Sequence, residues 1–139
     1  MFRYITGLNK ESEQVEMTAP VLNMMTTKEN NQMHKMMCFY LPKEHQASPP
    51  TPVDPNVKVV ADPGFTVYVH TFGGYATQDS TNIEQARIFA AVLAAAGEEA
   101  DTSTFFSAGY DSPMKFWSRR NEVMYPVTAD KLANVNDLL

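Results

Sequence analysis

The sequence predicts an α+β fold. Stretches of alternating apolar and polar residues recur along the chain, clearest at residues 65–72. Between two of them lies one amphipathic helix, roughly residues 80–97, whose contact row is rich in alanine and therefore suited to lying tightly on a sheet. The second half reads strand, helix, strand, strand. The first half matches that order if one strand and one helix are added to it, although similarity between the halves does not prove a repeat.

Residues 1–7 read as the last turns of a helix ending at Gly7, a common stop. Residues 15–25 predict the first strand, with Val15, Met17, Ala19 and Val21 on one face and Pro20 confining it to an edge or bulge. Residues 26–32 are polar, and Asn30-Asn31 suits a hairpin turn. Residues 33–41 alternate as the partner strand, Met33, Lys35, Met37, Phe39 and Leu41 against His34, Met36, Cys38 and Tyr40. Both faces are largely apolar, so both are expected to be covered. Residues 42–55 contain Pro42, Pro49, Pro50, Pro52 and Pro55, too many for a helix or interior strand, and predict a solvated connector.

Residues 57–61 predict a short strand, followed by a turn at Asp62-Pro63-Gly64. In the next strand Phe65, Val67, Val69 and Thr71 face one way and Thr66, Tyr68, His70 and Phe72 the other, until Gly73-Gly74 breaks it. Thr81 and Glu84 form a capping-box pattern. Ile83, Ala86, Ala90, Leu93 and Gly97 recur at helical spacing, and Phe89, Val92 and Ala96 widen that stripe. Residues 102–108 and 121–127 supply the last two strands. One domain is expected over residues 1–128, with a polar tail at 129–139.

Composition narrows the function. With 139 residues, 44% apolar and 19% charged, the chain has the make-up of a single globular domain. A net charge of -5 argues against nucleic acid as partner, because such domains carry a basic face to neutralise phosphates. Cys38 is the only cysteine, so neither an intramolecular disulfide, a Cys-rich metal site nor a CxxCH haem attachment can be built. No run approaches the ~20 apolar residues of a membrane span, and the expectation is a soluble, cytoplasmic protein. Enzyme signatures are absent: there is no GxSxG or HExxH, Gly73-Gly74 lacks the Lys-Ser/Thr of a phosphate loop, and Cys38 sits mid-strand among apolar neighbours.

The richest stretch is 108–127, which holds the only tryptophan. It reads as a strand end, a turn at Asp111-Ser112-Pro113 and a returning strand, with Lys115, Phe116, Trp117, Arg119 and Arg120 between. Three cations and two large aromatics in one loop suit a planar, apolar, anionic ligand.

That block, with Phe72-Gly-Gly-Tyr-Ala76 and Glu16-Met-Thr-Ala-Pro-Val21, resembles the SOUL/haem-binding protein family from about residue 2 to residue 127. The resemblance implies an antiparallel sheet curled into a distorted barrel with a helix on each side, in a pseudo-two-fold repeat whose first half is truncated here. The chain is accordingly expected to be N-terminally incomplete, or a short variant. It further implies non-covalent binding of haem or a related tetrapyrrole, in a sequestering or carrier role without catalysis. Haem requires an apolar slot, cations for two propionates and, optionally, an axial ligand. By resemblance, Arg3 and Lys115 fall where the family places basic residues beside the tetrapyrrole. Phe2, Met114, Phe116 and Trp117, with Met1 and Ile5, are candidates for the slot. Arg119 and Arg120 pair with Asp111 or Glu122 as readily as with a ligand. For His70 a hydrogen-bonded structural role outweighs iron ligation, and no axial ligand or metal site is assigned. The competing readings are a protein-interaction module using the same groove and a domain for another small molecule.

Overall fold

The computed structural model describes residues 1–27, 32–62 and 64–128. Asn30-Asn31, Pro63 within its turn and the polar tail at 129–139 lie outside the described residues. The chain forms two compact units, Met1–Ala19 with Phe39–Pro63 and Pro20–Cys38 with Gly64–Leu139.

In the first unit, helix α1 (Phe2–Ile5) gives way to Gly7 at φ 105°, a left-handed conformation that strains any residue with a Cβ. The helix buries Tyr4 and Ile5 with Val15, and Phe39, Leu41 and Val57 pack against them. Asn9 ties the following turn. Its side-chain amide donates to the carbonyls of Tyr4 at 3.1 Å and Glu13 at 2.7 Å, and its oxygen accepts the Glu13 N–H at 2.9 Å. Val15, expected to open a strand, instead donates its N–H to the Ile5 carbonyl at 2.9 Å and belongs to this core.

The proline-rich segment is largely exposed, as expected of a solvated connector, but it also holds a helical turn and a buried anchor. Pro42, whose fixed φ suits a helix start, precedes a single helical turn, α2 (Lys43–Gln46). Pro50 is fully buried and its carbonyl accepts the Tyr4 hydroxyl at 2.7 Å. The strand expected at 57–61 does not form: Val57 packs on the core, while Val59 and Val60 are exposed without a ladder partner among the described residues.

The second unit holds β1 (Val21–Thr27), β2 (Met33–Phe39) up to Cys38, β3 (Val67–Phe72), α3 (Asp79–Ala96), β4 (Thr104–Gly109) and β5 (Asn121–Pro126). They form one five-stranded sheet in the order β2-β1-β4-β5-β3, with β1–β4, β4–β5 and β5–β3 antiparallel. β1 begins only after Pro20, which has no N–H to give a ladder. The sheet is open, with β2 and β3 at its edges. The expectation that both faces of β2 are covered fails there, and Met33 and Met37 are exposed.

The register assigns the two faces. Met25, Phe105, Val123 and Tyr125 meet Ala86, Phe89 and Leu93 of α3, and the Tyr125 hydroxyl donates to the Ala86 carbonyl at 3.0 Å. On the other face Met24 and Phe106 are buried among Leu22, Met36, Phe65 and Met124. The helix starts two residues before the capping box: Gln78 is its N-cap, and neither Thr81 nor any other side chain caps it. Val92 and Ala96, expected to widen the contact stripe, face outward. α3 ends at Gly97, φ 73°, where Glu98 N–H closes on the Leu93 carbonyl at 3.0 Å.

Candidate functional site

β4 and β5 are joined by residues 110–120, and one network of short hydrogen bonds sets the shape of that loop. At its base Tyr110 N–H meets the Arg120 carbonyl at 3.4 Å. Asp111 uses both carboxylate oxygens: Oδ1 accepts Lys115 Nζ at 2.6 Å, and Oδ2 accepts the Arg120 N–H at 2.6 Å. Ser112 accepts the Lys115 N–H through its carbonyl at 3.0 Å and the Met114 N–H through its hydroxyl at 3.2 Å. Donation from the Lys115 side chain and then from the Arg120 N–H holds the Asp111 carboxyl below its ordinary value of 3.8.

Arg119 does not form the carboxylate pair open to it in the sequence. Its Nη1 donates to the carbonyls of Ser112 and Lys115, both at 2.7 Å, and its Cζ lies 4.5 Å from the centre of the Tyr75 ring. It is a staple between two levels of the loop. Arg120 does pair, through Nε at 2.9 Å, with Glu122 Oε1 on β5, and its guanidinium lies 4.6 Å from the Tyr110 ring centre. Tyr110 returns its hydroxyl to Glu122 Oε2 at 2.6 Å. Glu122 is only 4% exposed. Burial by itself would raise its carboxyl, but the hydrogen bonds from Tyr110 and Arg120, with the charge of Arg120, outweigh it and leave the group below 4.5.

The polar atoms of this loop turn inward and its apolar side chains turn out. Met114 is 76% exposed, and Phe116 and Trp117 are each 70% exposed. Ser118, at φ 47°, is one of two non-glycine residues with positive φ among the described residues, and it lies immediately after those aromatics. Single exposed hydrophobics are ordinary, whereas three large ones within four residues form a patch that suits an apolar partner. Lys115 sits among them, its side chain 37% exposed.

Met114, Lys115, Phe116 and Trp117 are therefore brought together on one loop of the second unit. Phe2 and Arg3 lie in the first unit, on α1. Phe2 is 65% exposed, and the exposed Arg3 side chain makes no hydrogen bond or ion pair among the described residues. Of the histidines, His70 has the structural setting expected of it: its Nε2 lies 3.2 Å from Gln85 Oε1 and its ring stacks on Phe89 at 5.5 Å. His45 lies 3.5 Å from Glu13. The described residues contain no group of three or more His, Cys, Asp or Glu able to hold a metal ion, and no helix long and apolar enough to cross a membrane.

Sequence reasoning missed two members of the loop. Tyr75 is the platform for Arg119, and its hydroxyl reaches the Lys115 carbonyl at 3.4 Å. Its signals in the sequence are its place directly after Gly73-Gly74 and within the Phe72–Ala76 motif, and neither names Arg119 as its partner. In the sequence Asp111 reads as a turn former or an arginine partner. The i, i+4 spacing to Lys115 was the available clue, but it carries that meaning only where the intervening residues turn like a helix.

The class of protein these observations define is an α+β scaffold that presents an exposed apolar tip on a hydrogen-bonded frame. The chain belongs to the SOUL heme-binding protein family, whose profile matches residues 1–126. It is 34% identical over 125 residues to heme-binding protein 1 of Mus musculus, covering 88% of this chain and 65% of that protein. It is 32% identical over 122 residues to heme-binding protein 2 of Homo sapiens, covering 86% and 59%, and 32% identical over 125 residues to heme-binding protein 1 of Bos taurus, covering 88% and 64%. The chain thus spans just under two thirds of the length of these relatives.

Proposed function

We propose that this chain binds haem or a related tetrapyrrole non-covalently, as a sequestering or carrier protein without catalysis, through Met114, Lys115, Phe116 and Trp117. The observation that carries the reading is the exposure of Met114, Phe116 and Trp117 beside a cation on a loop whose backbone is fixed by its own hydrogen bonds. The residues suit the group: aromatic and thioether side chains offer apolar surface to a macrocycle, and an ammonium offers a partner to a propionate. A lone cysteine among apolar neighbours gives no covalent attachment of the two-thioether kind. Phe2 and Arg3, in the first unit, are separate candidates supported by family membership and by their own exposure.

Titration of hemin into micromolar protein tests this. The Soret band should shift saturably, and Trp117 emission should quench in parallel, because the single tryptophan reports from the loop itself. Lys115→Glu should weaken binding about three- to tenfold, the scale of losing one solvent-exposed charge pair and gaining a repulsion. Absence of a saturable shift, or a Lys115→Glu curve that overlies the wild type, defeats the proposal.

A further inference from the structure

Lys115 is fixed at its backbone and its side chain at once, but by different groups. Its N–H donates to the Ser112 carbonyl at 3.0 Å, and its own carbonyl accepts Arg119 Nη1 at 2.7 Å and the Tyr75 hydroxyl at 3.4 Å. The ammonium has a single partner among the described residues, Asp111 Oδ1 at 2.6 Å. The Asp111 side chain is only 12% exposed and is anchored independently by the Arg120 N–H at Oδ2. The carboxylate is therefore fixed, while the lysine is a flexible arm on a fixed base.

From this we propose that Asp111 is an internal counter-ion that a ligand carboxylate must displace from Lys115, which makes Asp111 a positioning residue that sets the loop's affinity for anionic ligands. The inference rests on the tetrapyrrole-binding reading above. Release of the ammonium leaves every backbone contact of Lys115 in place, so the arm swings from Asp111 to a ligand carboxylate without unfolding the loop. The other charges near the pair do not enter the exchange. Arg119 is committed to carbonyls and the Tyr75 ring, Arg120 to Glu122, and Glu122 to Arg120 and Tyr110. Ligands without a carboxylate gain nothing from the exchange. Asp111 thus discriminates by ligand charge, not by ligand shape.

Asp111→Asn separates the two duties of the side chain. The amide oxygen still accepts the Arg120 N–H, whereas the amide nitrogen opposes the ammonium and releases it. Hemin affinity should rise about two- to fivefold, the worth of one exposed ion pair, while affinity for the dimethyl ester of the same iron porphyrin should not change. In a Lys115→Met background Asp111→Asn should have no effect on hemin. Asp111→Ser, which removes the charge with a smaller polar side chain, serves as the second variant if the first does not fold, with wild-type Trp117 emission as the check on the loop. An unchanged or weaker hemin affinity in a folded variant, or an equal gain for the ester, overturns the inference and leaves haem binding standing. A wild-type chain that does not bind hemin overturns both.

Discussion

At the scale of single residues, the loop is governed by two carboxylates with different surroundings. Asp111 gathers the loop from its rim, and Glu122 holds the loop's end to the sheet from a position that is 4% exposed. Both groups sit below their ordinary values of 3.8 and 4.5. A depressed carboxylate contributes stability that is fully present above its unfolded value and is lost as pH falls through its folded one. The contribution of these groups to the urea unfolding midpoint should therefore stay full and constant between pH 7 and about pH 5, and the midpoint should decline below about pH 4, less steeply in Glu122→Gln than in the wild type. At neutral pH Glu122→Gln should cost about 1–3 kcal/mol, since the amide oxygen still accepts from Arg120 but without the charge, and the amide nitrogen meets the Tyr110 hydroxyl with a donor in place of an acceptor. Glu122 was legible in the sequence as an arginine partner because it follows Arg120 by two positions on an alternating strand. Its burial was not, since that depends on β3 and β4 flanking β5.

At the scale of elements, periodicity located what periodicity controls. α3 was expected at 80–97 and spans Asp79–Ala96, and the strands at 65–72, 102–108 and 121–127 appear within two residues as β3, β4 and β5. The failures share a cause. The Thr81–Glu84 box is a local signal, and the helix extends back past it to Asp79, whose carboxylate accepts Lys35 Nζ of β2 at 2.6 Å. Val92 continues a helical stripe in the sequence, yet it is 56% exposed because only the row through Ala86, Phe89 and Leu93 faces the sheet. Val15 and residues 57–61 have strand-like composition, yet their burial and hydrogen bonds are decided by Tyr4, Ile5 and the proline segment. In the same way, the apolar tip of the candidate site could be read from composition, whereas its Asp111 and Tyr75 frame depends on how the loop folds back. Phe89→Ala should accordingly destabilise the second unit by about 3–5 kcal/mol, because it empties the contact between α3 and the ring of Tyr125. Val92→Ala should stay within about 0.5 kcal/mol. Chemical denaturation of both variants checks the pair, and similar costs would show that the helix packs by a different row.

At the scale of the whole molecule, β2 and β3 end the strand order of the sheet among the described residues, and β2 carries the apolar row of exposed methionines. Edge strands template association unless a charge, proline or bulge blunts them. Met33 and Met37 are each 43% exposed, and alternation places Lys35 between them on the same face. Lys35 is therefore the one cation on an apolar edge row of β2. Its pair with Asp79 spans two exposed side chains, so it adds little to stability. Its larger effect is on association, since a second copy pairing along β2 would have to desolvate the ammonium or bring it beside its counterpart. The net charge of -5 adds a general repulsion between copies that weakens with salt. Lys35→Val should leave the urea midpoint nearly unchanged and produce concentration-dependent self-association in sedimentation velocity, stronger at high salt. Met37→Lys should suppress it. A Lys35→Val chain that sediments as the wild type does across the same concentrations would show that the β2 edge is protected by something other than this charge.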